Sequence, residues 1–173
     1  MASALRLRPP RPGDEPVLVA AIESLRLEGM EFAPGWHEHM SYSDFLAALR
    51  DHGAGLDFGD PASWVPATFL LAEVDGEVVG RTSVRHALND WLTREGGHIG
   101  YAVLAAHRRR GYATEMLQQS LVIARAHGVD RVLVTCDDDN VGSATVIERC
   151  GGVRDADLPL VPSDPPKRRY WID

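Results

Sequence analysis

Residues 97–136 have the pattern of a strand, a helix and a second strand, and this order restricts the fold more than any other feature of the sequence. The strand patterns GHIGYAVL (97–104) and RVLVTC (131–136) enclose YATEMLQQSLVIARAHG (112–128), whose apolar side chains recur at helical spacing. Two strands joined by a crossover helix within about 40 residues form a βαβ unit, with parallel strands and a right-handed connection. We therefore predict an α/β fold built around this unit.

The remaining sequence adds strands and helices before and after the βαβ unit. Asp14 is expected to cap the first helix and Ser43 or Asp44 the second, while Asp75 and Gly76 form the strongest hairpin signal in the chain. These elements are a strand at 5–8, helices at 12–30 and 42–53, a hairpin at 68–88, a helix at 142–150 and a last strand at 168–172. The predicted class is α/β (α+β mixed sheet), with a central mixed sheet of about six or seven strands, about four flanking helices and a parallel βαβ core.

Composition limits the number of domains and the kind of partner. The 173 residues fit a single domain over 1–173, and 45% hydrophobic with 25% charged residues is ordinary for a globular protein. A formal net charge of −7 disfavours broad binding to nucleic acid, which needs an extended basic surface. The sequence has no signal-peptide core and no run of roughly 18 apolar residues. We therefore expect a cytoplasmic protein that binds neither nucleic acid nor a membrane.

The segment HRRRGYAT, residues 107–114, concentrates positive charge directly before the predicted central helix. The first N–H groups of a helix have no intrahelical acceptor, and together with the helix dipole they attract an anion. Gly111 lets the main chain approach a ligand closely, Arg108 and its neighbours can add charge-assisted hydrogen bonds, and the Thr114 hydroxyl is a further donor. These features predict a diphosphate site, although neither G-x-x-x-x-G-K-[ST] nor G-x-G-x-x-G is present.

These residues resemble the GNAT superfamily of N-acetyltransferases. The family's signature is Arg or Gln, two residues, Gly, one residue, and Gly or Ala, and it is matched by Arg108, Gly111 and Ala113. LRLRPPRPGDEP resembles the family's first strand and helix cap. GGHIGYAV, RRRGYATEML, TCDDDNVGSATVIERCGG and RRYWI together resemble one uncharacterised subgroup of bacterial members. The resemblance covers nearly the whole chain and implies a GNAT-like fold.

The resemblance also implies an acetyl-CoA site. It implies that the main chain at Val103 and Leu104 pairs with the pantetheine arm, that Asn140 bonds to the arm, and that Ser143 assists at the start of the next helix. The implied reaction is direct transfer of the acetyl group to a primary amine of a small molecule or a peptide. A non-catalytic acyl-CoA-binding module and a transferase for a longer acyl group are the alternatives. The residues implied to hold the pyrophosphate are Arg108, Arg109, Arg110, Gly111, Tyr112, Ala113 and Thr114.

The implied chemistry needs a base for the amine and an acid for the departing thiolate. His98 is the first candidate base because it begins the strand beside the cofactor and titrates in the right range. A structural role is its alternative, since without a bulge His98 is out of phase with the base of some relatives. Glu95 and Asp137 are further candidates. The tyrosine that serves many relatives as the acid falls on Ile147, so solvent or another group must serve here.

Polar and aromatic residues outside these motifs have structural as well as functional interpretations. Cys136 and Cys150 are expected to be packing residues, and Asn140 could cap the helix that follows it. The run Asp137 to Asp139 is expected to cap the same helix, and no metal site is predicted. The segment that holds Trp36, His37, His39 and Tyr42 either covers the core or forms a wall of the acceptor site.

The last strand, RRYWI, is expected to lie at a sheet edge. Such an edge has unpaired main-chain groups that could pair with a second copy of the chain. A homodimer is therefore an expectation.

Overall fold

Seven strands in two antiparallel sheets form the framework of the protein in a computed structural model that describes residues 4–51, 65–155 and 166–173. The first sheet contains, in spatial order, β1 (Arg6–Arg8), β2 (Ala67–Val74), β3 (Glu77–Arg85) and β4 (Ile99–Val103). The second sheet contains β5 (Val132–Asp137), β7 (Lys167–Ile172) and β6 (Val153–Arg154), with β7 in the middle. The predicted hairpin is confirmed, because β2 and β3 pair on either side of the Asp75-Gly76 turn.

Four α-helices lie against these sheets within the described residues, and this number agrees with the prediction. They are α1 (Glu15–Leu27), α2 (Tyr42–Asp51), α3 (Tyr112–Ala126) and α4 (Val141–Arg149). Helices α1 and α2 share a buried cluster with Phe69 and Leu71 of β2. Helices α3 and α4 share another with Val84 of β3 and with the second sheet. Because successive strand residues point to opposite faces, β3 and β4 contact one helix pair on each face.

The N-termini of the first two helices differ from the prediction. Asp14 is at the predicted N-cap position of α1, but its side chain forms no capping hydrogen bond: its carboxylate pairs with the Arg8 guanidinium at 2.7 and 2.8 Å, and this contact lowers the pKa of Asp14. Helix α2 is capped by Ser41 and not by Ser43 or Asp44, because Ser41 Oγ accepts the Asp44 N–H at 3.1 Å. The predicted end of that helix at Gly53 lies outside the described residues. The periodicity thus located both helices but did not identify the side chains that cap them.

Strands β4 and β5, which we predicted to pair in parallel, meet at one point in the described structure. Just before β4, the His98 N–H donates to the Leu133 carbonyl at 2.7 Å, and the Leu133 N–H donates to His98 Nδ1 at 2.9 Å. Gly97 permits this approach, since it has a φ of +62° and a Cβ there would lie 2.7 Å from the Leu133 oxygen. Where a central mixed sheet was predicted, the structure has two antiparallel sheets joined at this point.

Strand β7 is not an edge strand, so the expectation for RRYWI was wrong. It pairs with β5 from Lys167 to Ile172 on one side, and Tyr170 and Trp171 pair with β6 on the other. The two residues of β6 were not predicted as a strand. They cover the side of β7 that we expected to be open, which removes the argument on which a homodimer was expected.

Candidate functional site

A cleft of about 840 Å³ lies beside β4, between the start of α3 and the start of α4. The cleft is lined by the part of β4 that follows the hydrogen bonds between His98 and Leu133, which join the two sheets. The residues predicted to hold the cofactor line it, except for two: Val103, Arg108, Arg109, Gly111, Tyr112, Ala113, Thr114, Asn140 and Ser143.

Leu104 and Arg110 are the two predicted residues that do not line the cleft. Leu104 packs against the core cluster of α1 and α2. The Arg110 guanidinium donates back to the Ala106 carbonyl at 3.2 Å. The Leu104 side chain thus belongs to the core, and the Arg110 side chain contacts its own loop.

The start of α3 presents main-chain N–H groups along one side of the cleft. Gly111 precedes the helix with a φ of +86°, a conformation that glycine adopts without strain. Its carbonyl accepts the N–H groups of Thr114 and Glu115 at 3.1 and 3.2 Å. Within the described part of the chain, the N–H groups of Gly111, Tyr112 and Ala113 have no main-chain acceptor. These three donors and the positive end of the helix dipole form an anion-binding arrangement.

The three arginines before this helix are in different environments. Arg108 donates to the Val103 carbonyl at 3.0 Å and to the Glu28 carboxylate at 2.7 Å, which connects the loop to the end of α1. Arg109 adopts a φ of +64°, lines the cleft and forms no ion pair with a carboxylate of the described residues. Because Glu28 partly neutralises Arg108 and Arg110 does not line the cleft, Arg109 is the arginine of this triplet that is free to bind an anion there.

The start of α4 forms the opposite side of the cleft. Asn140 is the N-cap of this helix, since its side-chain oxygen accepts the Ser143 N–H at 3.0 Å. The Ser143 hydroxyl lies 2.8 Å from the hydroxyl of Tyr101, which reaches across from β4. The interpretation of Asn140 as a helix cap is thus confirmed for its side-chain oxygen, and the residue also lines the cleft.

Tyr101 lines the cleft although it was not among our candidates. Burial raises the pKa of its phenol above the ordinary value, so that the hydroxyl keeps its proton at neutral pH. The alternation of β4 could have identified it, because Tyr101 and Val103 must share a face of the strand. Which face meets α4 depends on contacts that are distant in sequence.

Comparison with known proteins identifies the family. The family described as acetyltransferase (GNAT) domain matches residues 4–153. The chain belongs to the GNAT acetyltransferase family. A curated relative, the uncharacterized N-acetyltransferase YjdG of Bacillus subtilis (strain 168), is 31% identical over 90 residues. That match covers 51% of this chain and 49% of the relative, so it spans about half the length of the curated protein.

Solved GNAT structures share the fold at low sequence identity. The structure of yncA of Salmonella typhimurium with its cofactor acetyl-CoA is 16% identical with a TM-score of 0.65, and the similarity covers 98% of this chain and 94% of that chain. Spermidine N-acetyltransferase of Vibrio cholerae, in complex with CoA and spermine, is 14% identical with a TM-score of 0.62, covering 97% of this chain and 94% of that one. Within the described residues, no helix combines the length and apolar character that a membrane span requires.

The candidate bases of this GNAT protein lie outside the residues that line the cleft. His98 Nδ1 accepts the Leu133 N–H, and burial lowers the pKa of the imidazole to about 4. The Asp137 carboxylate pairs with the Lys167 ammonium group. Glu95 is half-buried, and its carbonyl accepts the Thr135 hydroxyl at 2.5 Å. The described structure therefore does not bring these three groups to the cofactor residues.

Other residues considered from the sequence are part of the protein's packing. Ile147, which replaces the tyrosine of many GNAT relatives, is fully buried in the cluster of α3 and α4, as is most of Cys136. Burial raises the pKa of the Cys136 thiol to about 11, which makes it a poor nucleophile. Trp36 and Tyr42 pack on Phe45, whereas His37 and His39 are exposed.

Proposed function

We propose that this protein transfers an acetyl group from acetyl-CoA to a primary amine of a small molecule or a peptide. The observation that carries the proposal is the row of free N–H groups at Gly111, Tyr112 and Ala113, at the start of a long helix and on the wall of a deep cleft. Arg109 adds a guanidinium group without a described carboxylate partner. Main-chain donors, a helix dipole and an arginine suit a diphosphate, which is negatively charged and accepts several hydrogen bonds.

The donor and the acceptor then meet near β4. Acetyl-CoA would supply an acyl thioester, whose carbonyl carbon bonds to the amine nitrogen while the carbon–sulfur bond breaks. The ammonium group of the acceptor must lose one proton before attack and a second one afterwards, and the departing sulfur must gain one. We assign the proton for the sulfur to the Tyr101 hydroxyl, which is protonated at neutral pH and hydrogen-bonded to Ser143 at the cleft.

Water is the proposed proton acceptor for the amine. His98, Glu95 and Asp137 do not line the cleft in the described structure, and the His98 Nδ1 lone pair already accepts a main-chain hydrogen bond. An acceptor whose own pKa is moderate needs only weak base catalysis, which bulk water can supply. The cytoplasmic location and the single domain over 1–173 stay predictions, as does any dimer.

The absence of the family's tyrosine keeps a second function open. Ile147 occupies that position and is fully buried, which would suit an acyl-CoA-binding module without turnover. A transferase for a longer acyl group differs from the leading proposal only in how much of the cleft the acyl chain fills.

Thermal unfolding followed by a turnover assay separates these functions. At a hundredfold excess over Kd, a ligand stabilises the folded protein by about 2.7 kcal/mol, which for a chain of this size raises Tm by roughly 5 to 10 °C. Acetyl-CoA should produce this rise, and a panel of amines should release free CoA thiol. A rise without thiol release would support the binding module, and faster release from butyryl-CoA the longer acyl group. No rise would reject all three.

A further inference from the structure

Arg149 lies in the last turn of α4 and lines the cleft, although the sequence did not identify it as a candidate. Gly142, Thr145 and Val146 of the same helix also line the cleft. Residues that precede Arg149 by three, four and seven positions share its face of the helix, so the cleft follows this face of α4 over about 10 Å. It thus extends from the N-cap, Asn140, to the end of the helix.

The end of α4 that carries Arg149 lies against the start of α3. The thiol of Cys150, the residue that follows Arg149, donates to the Thr114 carbonyl at 3.7 Å. Thr114 belongs to the first turn of α3, whose N–H groups are proposed to hold the diphosphate. At the other end of α4, Ser143 contacts Tyr101, about 9 Å along the helix from Arg149. Arg149 is therefore at the diphosphate end of the cleft and away from Tyr101.

The positive charge of Arg149 has no partner among the described residues. Its guanidinium group forms no hydrogen bond or ion pair there, and no Asp or Glu is among the described residues that line the cleft. A carboxylate from each of the two helices contacts another element instead: Glu148 accepts the Tyr170 hydroxyl, and Glu115 accepts the Leu5 N–H, both at 3.2 Å. Although the chain has a formal net charge of −7, this end of the cleft therefore attracts an anion.

We propose that Arg149 binds the phosphate on the ribose 3′ hydroxyl of CoA. The N–H groups at the start of α3 and the Arg109 guanidinium provide for the diphosphate, which leaves this phosphate as the charged group of CoA that still needs a partner. It belongs to the adenosine, at the end of CoA opposite the thioester. Arg149 is likewise at the end of α4 opposite Tyr101, the proposed proton donor to the sulfur. A guanidinium group binds phosphate through charge-assisted hydrogen bonds.

This inference rests on the proposed acetyl transfer and adds a donor specificity to it. A donor that lacks the 3′ phosphate but keeps the diphosphate and the thioester should bind more weakly, because it has no group for Arg149 to hold. The protein should thus distinguish acetyl-CoA from acetyl-3′-dephospho-CoA, two molecules that are identical in every other group.

A structural role for Arg149 predicts a different result. An arginine in the last turn of a helix also stabilises that helix through its dipole, whatever ligand is bound. Arg26 is an exposed arginine in the last turn of α1 and does not line the cleft, so it provides the same dipole interaction away from the ligand. Arg26→Gln is therefore the matched control for Arg149→Gln.

Isothermal titration calorimetry with the two ligands tests the inference. The wild-type protein should bind acetyl-CoA about 10-fold more tightly than acetyl-3′-dephospho-CoA, since the latter lacks a charged hydrogen bond. Arg149→Gln should bind both ligands with the Kd that the wild type has for the dephospho form. Arg26→Gln should keep the wild-type preference, and Arg149→Lys should keep part of it, because lysine retains the charge. Because Arg149 is exposed, added salt should narrow the wild-type preference.

Equal Kd values for the two ligands in the wild type, or a full preference that survives in Arg149→Gln, would overturn the inference. A preference that Arg26→Gln also loses would overturn it too, since the effect would then come from net charge and not from Arg149. Failure of both ligands to bind would reject the proposed function, whereas equal binding of both rejects only the role of Arg149. The Tm of each variant without ligand checks that the variant is folded.

Discussion

His98 shows how one neutral histidine can connect the two sheets and make stability depend on pH. Its pKa is lowered from 6.5 to about 4 by burial, with Arg85 adding to the effect. Between these pH values the unfolded chain binds a proton that the folded protein does not, so acid favours unfolding. The contribution of His98 is complete above pH 6.5 and is lost as the pH falls to about 4, up to about 3 kcal/mol.

Unfolding of His98→Asn tests this link. An asparagine oxygen can still accept the Leu133 N–H, but it cannot titrate. We expect the free energy of unfolding of the wild type to fall more steeply between pH 7 and pH 4.5 than that of the variant, measured by urea denaturation. Equal slopes would show that the imidazole titrates alike in the folded and unfolded chains.

The Tyr101 hydroxyl is proposed to act in the chemical step and not in the binding of acetyl-CoA, so its removal should affect only the former. Tyr101→Phe removes the proposed donor to the departing sulfur and should lower kcat by about 100-fold, within the range of general acid catalysis. The Kd for acetyl-CoA, measured by calorimetry, should stay the same. Ser143→Ala keeps the phenol and is the control, with a smaller effect expected. An unchanged kcat in Tyr101→Phe would show that solvent, and not Tyr101, protonates the departing sulfur.

At the scale of elements, two substitutions at the N-cap of α4 can separate the stability of the helix from the binding of acetyl-CoA. Asn140→Ala removes the acceptor of the Ser143 N–H and should lower the free energy of unfolding by about 1 kcal/mol. Asn140→Ser keeps a capping oxygen but has no amide donor, so it should preserve stability. If the amide also bonds to acetyl-CoA, both variants should bind it more weakly. If Asn140→Ser binds acetyl-CoA with wild-type affinity, the role of Asn140 is limited to capping α4.

At the scale of the whole molecule, the elements that could be predicted are those whose sequence signal is local. Asp75-Gly76 specifies a hairpin, and the periodicity of residues 112–128 specifies α3 almost to its ends. The pairing of the Asp14 carboxylate with Arg8, in place of a capping hydrogen bond, and the pairing of β6 with β7 could not be predicted, because neither contact has a signature in the adjacent sequence. The division into two sheets likewise could not be predicted from the residues of β4 and β5 alone.

The residues of the candidate site also fall into those that the sequence identifies and those that it does not. Gly111 and its neighbours could be found because a helix start is a local feature. Tyr101 could not, because its role depends on which face of β4 meets α4.

A crystal structure of the protein with bound CoA tests the central claim directly. We predict that the diphosphate lies within hydrogen-bond distance of the N–H groups of Gly111, Tyr112 and Ala113, in contact with the Arg109 guanidinium. A diphosphate held elsewhere on the protein, with these N–H groups bound to water or to the protein's own side chains, would contradict the account.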